Sequence, residues 1–132
     1  MRKNVSSGSP LEPEIGFSRA VRVGPLIFVA GTAPIAAEGG TEAPGDVYRQ
    51  TRRCIEIGAA AIREAGGRLD DVVRTRVMLV DISRWREAAR AHGEFFSAVR
   101  PVCTFVQVSG FIDPEWLVEV ELDCAVSPTI GE

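Results

Sequence analysis

The 132-residue sequence has a single histidine, His92, and three cysteines, Cys54, Cys103 and Cys124, with no C-x-x-C pair among them. A histidine-based metal centre would lack partners, and an odd, scattered set of thiols fits neither a disulfide framework nor a zinc site. Neither a metal nor a cofactor is expected. No apolar run approaches the roughly 20 residues of a membrane span, and Met1-Arg-Lys-Asn4 is not followed by a signal-peptide core. The expected location is cytoplasmic, with no membrane partner. A basic excess is missing too: 15 Lys plus Arg against 18 Asp plus Glu leave a net charge of −3, which attracts no nucleic acid. The one basic cluster, Arg49, Arg52 and Arg53, lies on a helical stretch with Glu56, so pairing along a solvated face accounts for it.

What remains is an ordinary globular composition, 45% hydrophobic and 25% charged, enough for one domain with a buried core. Residues 1–14, rich in Ser, Gly, Pro and Glu, read as a mobile arm, and residues 15–132 as the domain. Residues 17–23 alternate, Gly24-Pro25 turns the chain and Leu26 to Ala30 is apolar, which predicts a β-hairpin. Ile35 to Gly45 reads as a loop. Asp46 to Ala65 is the clearest helix, capped by Asp46 and stopped by Gly66-Gly67. Its buried stripe is Val47, Thr51, Cys54, Gly58, Ala61, Ile62 and Ala65. Val72 to Val80 predicts a strand with Arg74 and Arg76 on one face and Val73, Thr75, Val77 and Leu79 on the other. Ser83 is the expected N-cap of a second helix, whose stripe is Trp85, Ala88, Ala89, His92, Phe95, Phe96 and Val99. Two closing strands run through Val102 to Val108 and Leu117 to Ala125.

The order ββαβαββ predicts an α+β fold, a mixed sheet with both helices on one face. A hairpin of the last two strands would bring Cys103 and Glu119 together at one rim of the sheet. On the face without helices, Phe105, Val118 and Val120 would then need another subunit to cover them. His92 falls on the apolar stripe of its helix and reads as a hydrogen-bonded core histidine. Trp116 is a candidate anchor at a subunit boundary.

Ile15-Gly-Phe-Ser-Arg-Ala-Val21, Phe28-Val-Ala-Gly-Thr32, Arg100-Pro-Val-Cys-Thr-Phe-Val-Gln-Val108 and Leu117-Val-Glu-Val-Glu121 resemble segments of the RidA family (YjgF/YER057c/UK114). The resemblance covers nearly all of the chain beyond the arm. It implies a RidA-like, chorismate-mutase-like fold, a homotrimer with ligand clefts between subunits, and a small-molecule metabolite as partner. Active members hydrolyse enamines and imines to keto acids and ammonia. Their carboxylate-holding arginine maps onto Cys103, a serine hydroxyl onto Ala30 and a tyrosine phenol onto Phe17. A thiol is uncharged, short and a weak donor, and does not replace a guanidinium fork. Glu119 matches the glutamate that positions water or shuttles a proton.

The implied cleft therefore holds Glu119 as its catalytic residue among Phe17, Ala30, Gly31, Cys103 and Phe105, with Arg19 near enough to supply a positive charge. Each has a plainer reading. Glu119, Glu121 and Asp123 alternate as a solvated strand face would, Cys103 has no marked activating partner, and Arg19 fits an edge strand. Two functions stay open. One is a hydrolase of a small enamine, imine or related labile nitrogen compound, with backbone N–H groups near Gly31 and Cys103 orienting the ligand. The other is a non-catalytic metabolite-binding or regulatory trimer. The loss of the arginine argues against standard 2-aminoacrylate deamination in both.

Overall fold

A computed structural model describes residues 1–128 of the chain. Six strands, β1 (Arg2–Val5), β2 (Ala20–Val23), β3 (Leu26–Thr32), β4 (Val72–Leu79), β5 (Val102–Gln107) and β6 (Val118–Ala125), form one sheet in the order β1-β2-β3-β6-β4-β5. Helices α1 (Val47–Glu64) and α2 (Trp85–Phe96) lie side by side on one face. Every pairing is antiparallel except β4 with β5, which α2 joins as a crossover. This is the expected α+β arrangement with one additional strand.

The helix boundaries follow from local chemistry. The Asp46 carboxylate accepts the Arg49 amide at 2.9 Å, and the chain leaves α1 through Gly66 and Gly67, whose amides bond to the Arg63 and Ile62 carbonyls. All seven expected stripe residues of α1 are buried. A Cβ at Gly58 would stand 2.7 Å from Leu122 Cδ1, so glycine there permits the close seating of α1 on β6. The cap before α2 is Asp81 rather than Ser83. Asp81 accepts the Ser83 amide and hydroxyl at 3.0 and 2.6 Å, closing a 3-10 turn (Ile82–Arg84) that feeds the helix. Of the α2 stripe, Ala88 and Phe96 are buried, whereas Trp85 is 39% exposed at the first turn.

Four expectations change. Residues 2–5 are not part of a free arm: β1 adds to the edge of β2, burying Val5, and Glu12–Gly16 form a π turn closed by the Phe17 amide on the Glu12 carbonyl. Backbone pairing supplies what a polar composition hides. The last two strands are not a hairpin, because residues 108–117 carry the chain across β4, which sits between β5 and β6. Val118 and Val120 are buried on the helix side, and Phe105 packs under α2, 6.4 Å from the Trp85 ring and 6.2 Å from His92. These three residues leave no apolar face for a second subunit. Lastly, an irregularity between Val72 and Arg74 turns Val73 outward, where it is 48% exposed.

The face away from the helices carries charge as well as apolar groups. Arg76 pairs with Glu121, and Arg74 lies 3.8 Å from Asp123. Phe28 and Val102 stand exposed on the same face. The domain as read from sequence extends to residue 132; residues 129–132 lie outside those described.

Candidate ligand site

Strand β3 breaks register between Val29 and Thr32, where one extra residue stands opposite β6. At this bulge Gly31 comes so close to Glu119 that a Cβ would lie 2.8 Å from the Glu119 Oε1 atom. The carboxylate lies over glycine backbone because no side chain fills that space. Behind the bulge, Arg19 is almost wholly buried. Its Nη1 donates to the Gly31 carbonyl at 2.8 Å and to Thr32 Oγ1 at 3.3 Å, and its guanidinium sits 5.4 Å from the centre of the Phe17 ring.

Four of the expected residues, Phe17, Arg19, Gly31 and Glu119, line one cavity of about 570 Å³. Its walls come from four directions: residues 7–17, the loop after β3, the outer turn of α1 with Arg53 and Ile57, and the 108–117 crossing with Ile112 and Trp116. Burial raises the Glu119 carboxyl above the usual carboxylate range. Arg19 pulls it back in part and Glu121 pushes it up further. Burial also works against the charge of Arg19, which Glu12 and Glu119 hold in place. Glu12 is itself buried, yet its carboxyl stays below the usual range: desolvation pushes it up, but the Ser7 hydroxyl and amide, at 2.7 and 3.0 Å, more than offset that.

The remaining three residues lie elsewhere. Ala30 lines a separate surface depression with Val21 and Phe28, and its amide donates to the Arg19 carbonyl. Phe105 belongs to the core under α2. Cys103 stands exposed on the edge strand β5, in register with Thr75. Glu119 is in register with Met78, on the other side of the sheet from Thr75. Within one chain Cys103 and Glu119 do not meet. The other thiols are inert by position. Burial and then Glu119 push Cys54 well above its ordinary pKa, and burial with Asp71 and Asp123 pushes Cys124 up to about 12.

Several site residues escaped the sequence reading. By composition Ser7 to Leu11 read as part of the arm. Arg53 was assigned to a solvated face, and the pairs Arg49–Glu42, Arg52–Glu94 and Arg53–Glu56 do line the outside of α1. Gln50 lies outside the stripe that the spacing predicts for α1. It is fully buried; its Oε1 accepts the Leu117 amide at 2.9 Å and its Nε2 donates to the Glu115 carbonyl at 3.2 Å. It thereby ties the crossing that carries Trp116, and the start of β6, to α1. His92 is the hydrogen-bonded core histidine expected, 2.8 Å from Thr75 Oγ1.

A sequence profile of the family described as Endoribonuclease L-PSP matches residues 8–126. The crystal structure of Rv2704 from Mycobacterium tuberculosis, a member of the YjgF/YER057c/UK114 family, is 44% identical and superposes with a TM-score of 0.87, covering 96% of this chain and 100% of that one. The chain belongs to the RidA family. An uncharacterized protein of Streptomyces coelicolor is 41% identical over 121 residues, 92% of this chain and 90% of its own length. Among more distant folds, Escherichia coli TdcF, solved with bound serine, has a TM-score of 0.78 at 22% identity, with 94% of each chain covered. With 96% of its length covered, this RidA-family chain shares the fold of Rv2704.

Proposed function

We propose that the cavity beside Glu119 binds a small organic metabolite and hydrolyses a labile enamine, imine or related nitrogen compound, the cleft being completed by a neighbouring subunit of a homotrimer. The observation that carries this reading is a half-buried carboxylate with a raised pKa, held over bare backbone inside a cavity of ligand size. Such a group can give a proton to the enamine carbon, forming the iminium ion, and the resulting carboxylate can take one from the water that adds to its C=N carbon, giving the neutral carbinolamine. Collapse of the carbinolamine then breaks the C–N bond, and one substrate and one water become one carbonyl compound and one ammonia.

Serine bound in TdcF supports small-metabolite binding on this fold. An RNA substrate is less well supported, because among the described residues Arg49, Arg52, Arg74 and Arg76 are engaged by carboxylates. Cys103 in place of the arginine favours a second reading, in which the same cavity binds a metabolite without turning it over. Glu119→Gln separates the two. If the cavity is catalytic, turnover of a substrate found among labile enamines, imines and amides falls by a factor on the order of 10² while the fold is kept. Full activity in this variant would remove the mechanism, and binding without turnover of any such compound would establish the second reading.

A further inference from the structure

Glu119 accounts for proton handling, but not for how the cavity holds its ligand or selects its size. Arg19 is poorly placed to bind an anion: it is buried, its Nη1 serves two acceptors of its own chain, and Glu12 and Glu119 already answer its charge. Arg53 differs. It enters the same cavity from α1. Its Nε donates to the Ile35 carbonyl at 2.5 Å, which fixes the plane of the guanidinium against the loop after β3. Its nearest carboxylate, Glu56, is exposed and 3.7 Å from Nη1, and its Nη2 has no hydrogen-bond partner among the described residues. A guanidinium held at one nitrogen with its far edge open is a pre-oriented anion site.

Apart from Ser7, Ser9 and Thr32, the rest of the lining is largely apolar, with Leu11 and Phe17 from the segment before β2, Ile57 from α1 and Trp116 from the 108–117 crossing. One chain's share of the cleft, about 570 Å³, falls in the range of roughly 300–1,000 Å³ that holds drug-sized ligands, and a three-carbon acid would leave most of the apolar wall that this chain contributes uncovered. We infer that Arg53 is the anion-binding residue of this cavity, and that its ligand is a carboxylate carrying a branched-aliphatic or aromatic body. This rests on the cavity being the ligand site, and it names the class of compound that would enter. The carboxylate anchor thus sits on α1 of the same subunit, instead of at position 103 on the edge strand.

Calorimetric titration of the intact protein with pyruvate, phenylpyruvate and methyl phenylpyruvate tests it. Phenylpyruvate should bind at least about tenfold more tightly than pyruvate, through apolar burial, and about tenfold more tightly than its methyl ester, through the arginine. In Arg53→Gln the preference of acid over ester should vanish while affinity for the ester and the melting temperature stay unchanged. Equal affinities for the three compounds, no measurable binding of phenylpyruvate, or equal weakening of acid and ester in Arg53→Gln would each overturn the assignment. The last result would mean that Arg53 only braces the Ile35 loop. The same titrations in Glu119→Gln keep the two proposals apart, since acid selectivity there is expected to persist whether or not the variant has lost turnover.

Discussion

Gly31 and Glu119 form the contact on which the site depends. A methyl group at position 31 would meet the flexible end of a carboxylate rather than backbone, so the fold should tolerate Gly31→Ala while the carboxylate moves away. The expected outcome is a loss of ligand turnover or affinity of about tenfold, with thermal stability changed by less than about 1 kcal/mol. Enzyme assay or calorimetry beside a melting curve checks it, and a large stability loss without a site defect would contradict the geometry. Glycine at 31 was legible in the sequence as part of a family motif, but its reason was not. The reason is that a Cβ at position 31 would stand 2.8 Å from a carboxylate oxygen 88 positions on in sequence, and no local pattern encodes that distance.

At the scale of elements, α2 meets the sheet through His92 and Thr75, with the imidazole packed on Phe96 and Phe105. Burial lowers the pKa of His92. Its folded value is thus below its unfolded value of about 6.5, the unfolded chain binds the extra proton first, and stability should fall as pH drops from neutrality through that window. Denaturant titrations between pH 7 and 5 should show this slope, and His92→Asn should flatten the part due to the histidine. An unchanged slope would place the acid sensitivity elsewhere. The stripes of α1 and α2 and the strand β4 were readable because periodicity reports which face meets a core. The strand β1 was not, since Arg2 to Asn4 are exposed and only pairing with β2 makes them a strand.

For the whole molecule, the strand order sets the oligomeric question. Position 103 is on the edge strand β5, two strands from β6 and on the other side of the sheet from Glu119. A cleft using both positions therefore requires two chains, and sedimentation at micromolar concentration should show a trimer. A stable monomer would remove the shared cleft. Wild-type protein should turn over small imino acids such as 2-aminoacrylate poorly, more than about tenfold below a larger substrate, because a three-carbon acid held at Arg53 leaves most of the apolar wall uncovered and position 103 adds no second carboxylate contact. Cys103→Arg, at an exposed position that can hold the longer side chain, should raise that turnover in the trimer. Strong wild-type turnover of so small an acid, unaffected by the substitution, would show that neither apolar burial nor a contact from position 103 limits the reaction.

By itself the sequence determined the fold class, the course of α1, the presence of α2 and the family, because these depend on local periodicity, capping and segments of contiguous motif. It also marked Phe17, Arg19, Gly31 and Glu119 as members of one site. Only the tertiary structure decided that Ala30, Cys103 and Phe105 stand apart from that site within a chain, and that Arg53, Trp116 and the segment before β2 help to build it. The physical reason is that sheet order and crossings are settled by long-range burial. The 108–117 crossing over β4 turns an apparent hairpin into separated strands and moves Phe105, Val118 and Val120 from an imagined interface into the core under the helices.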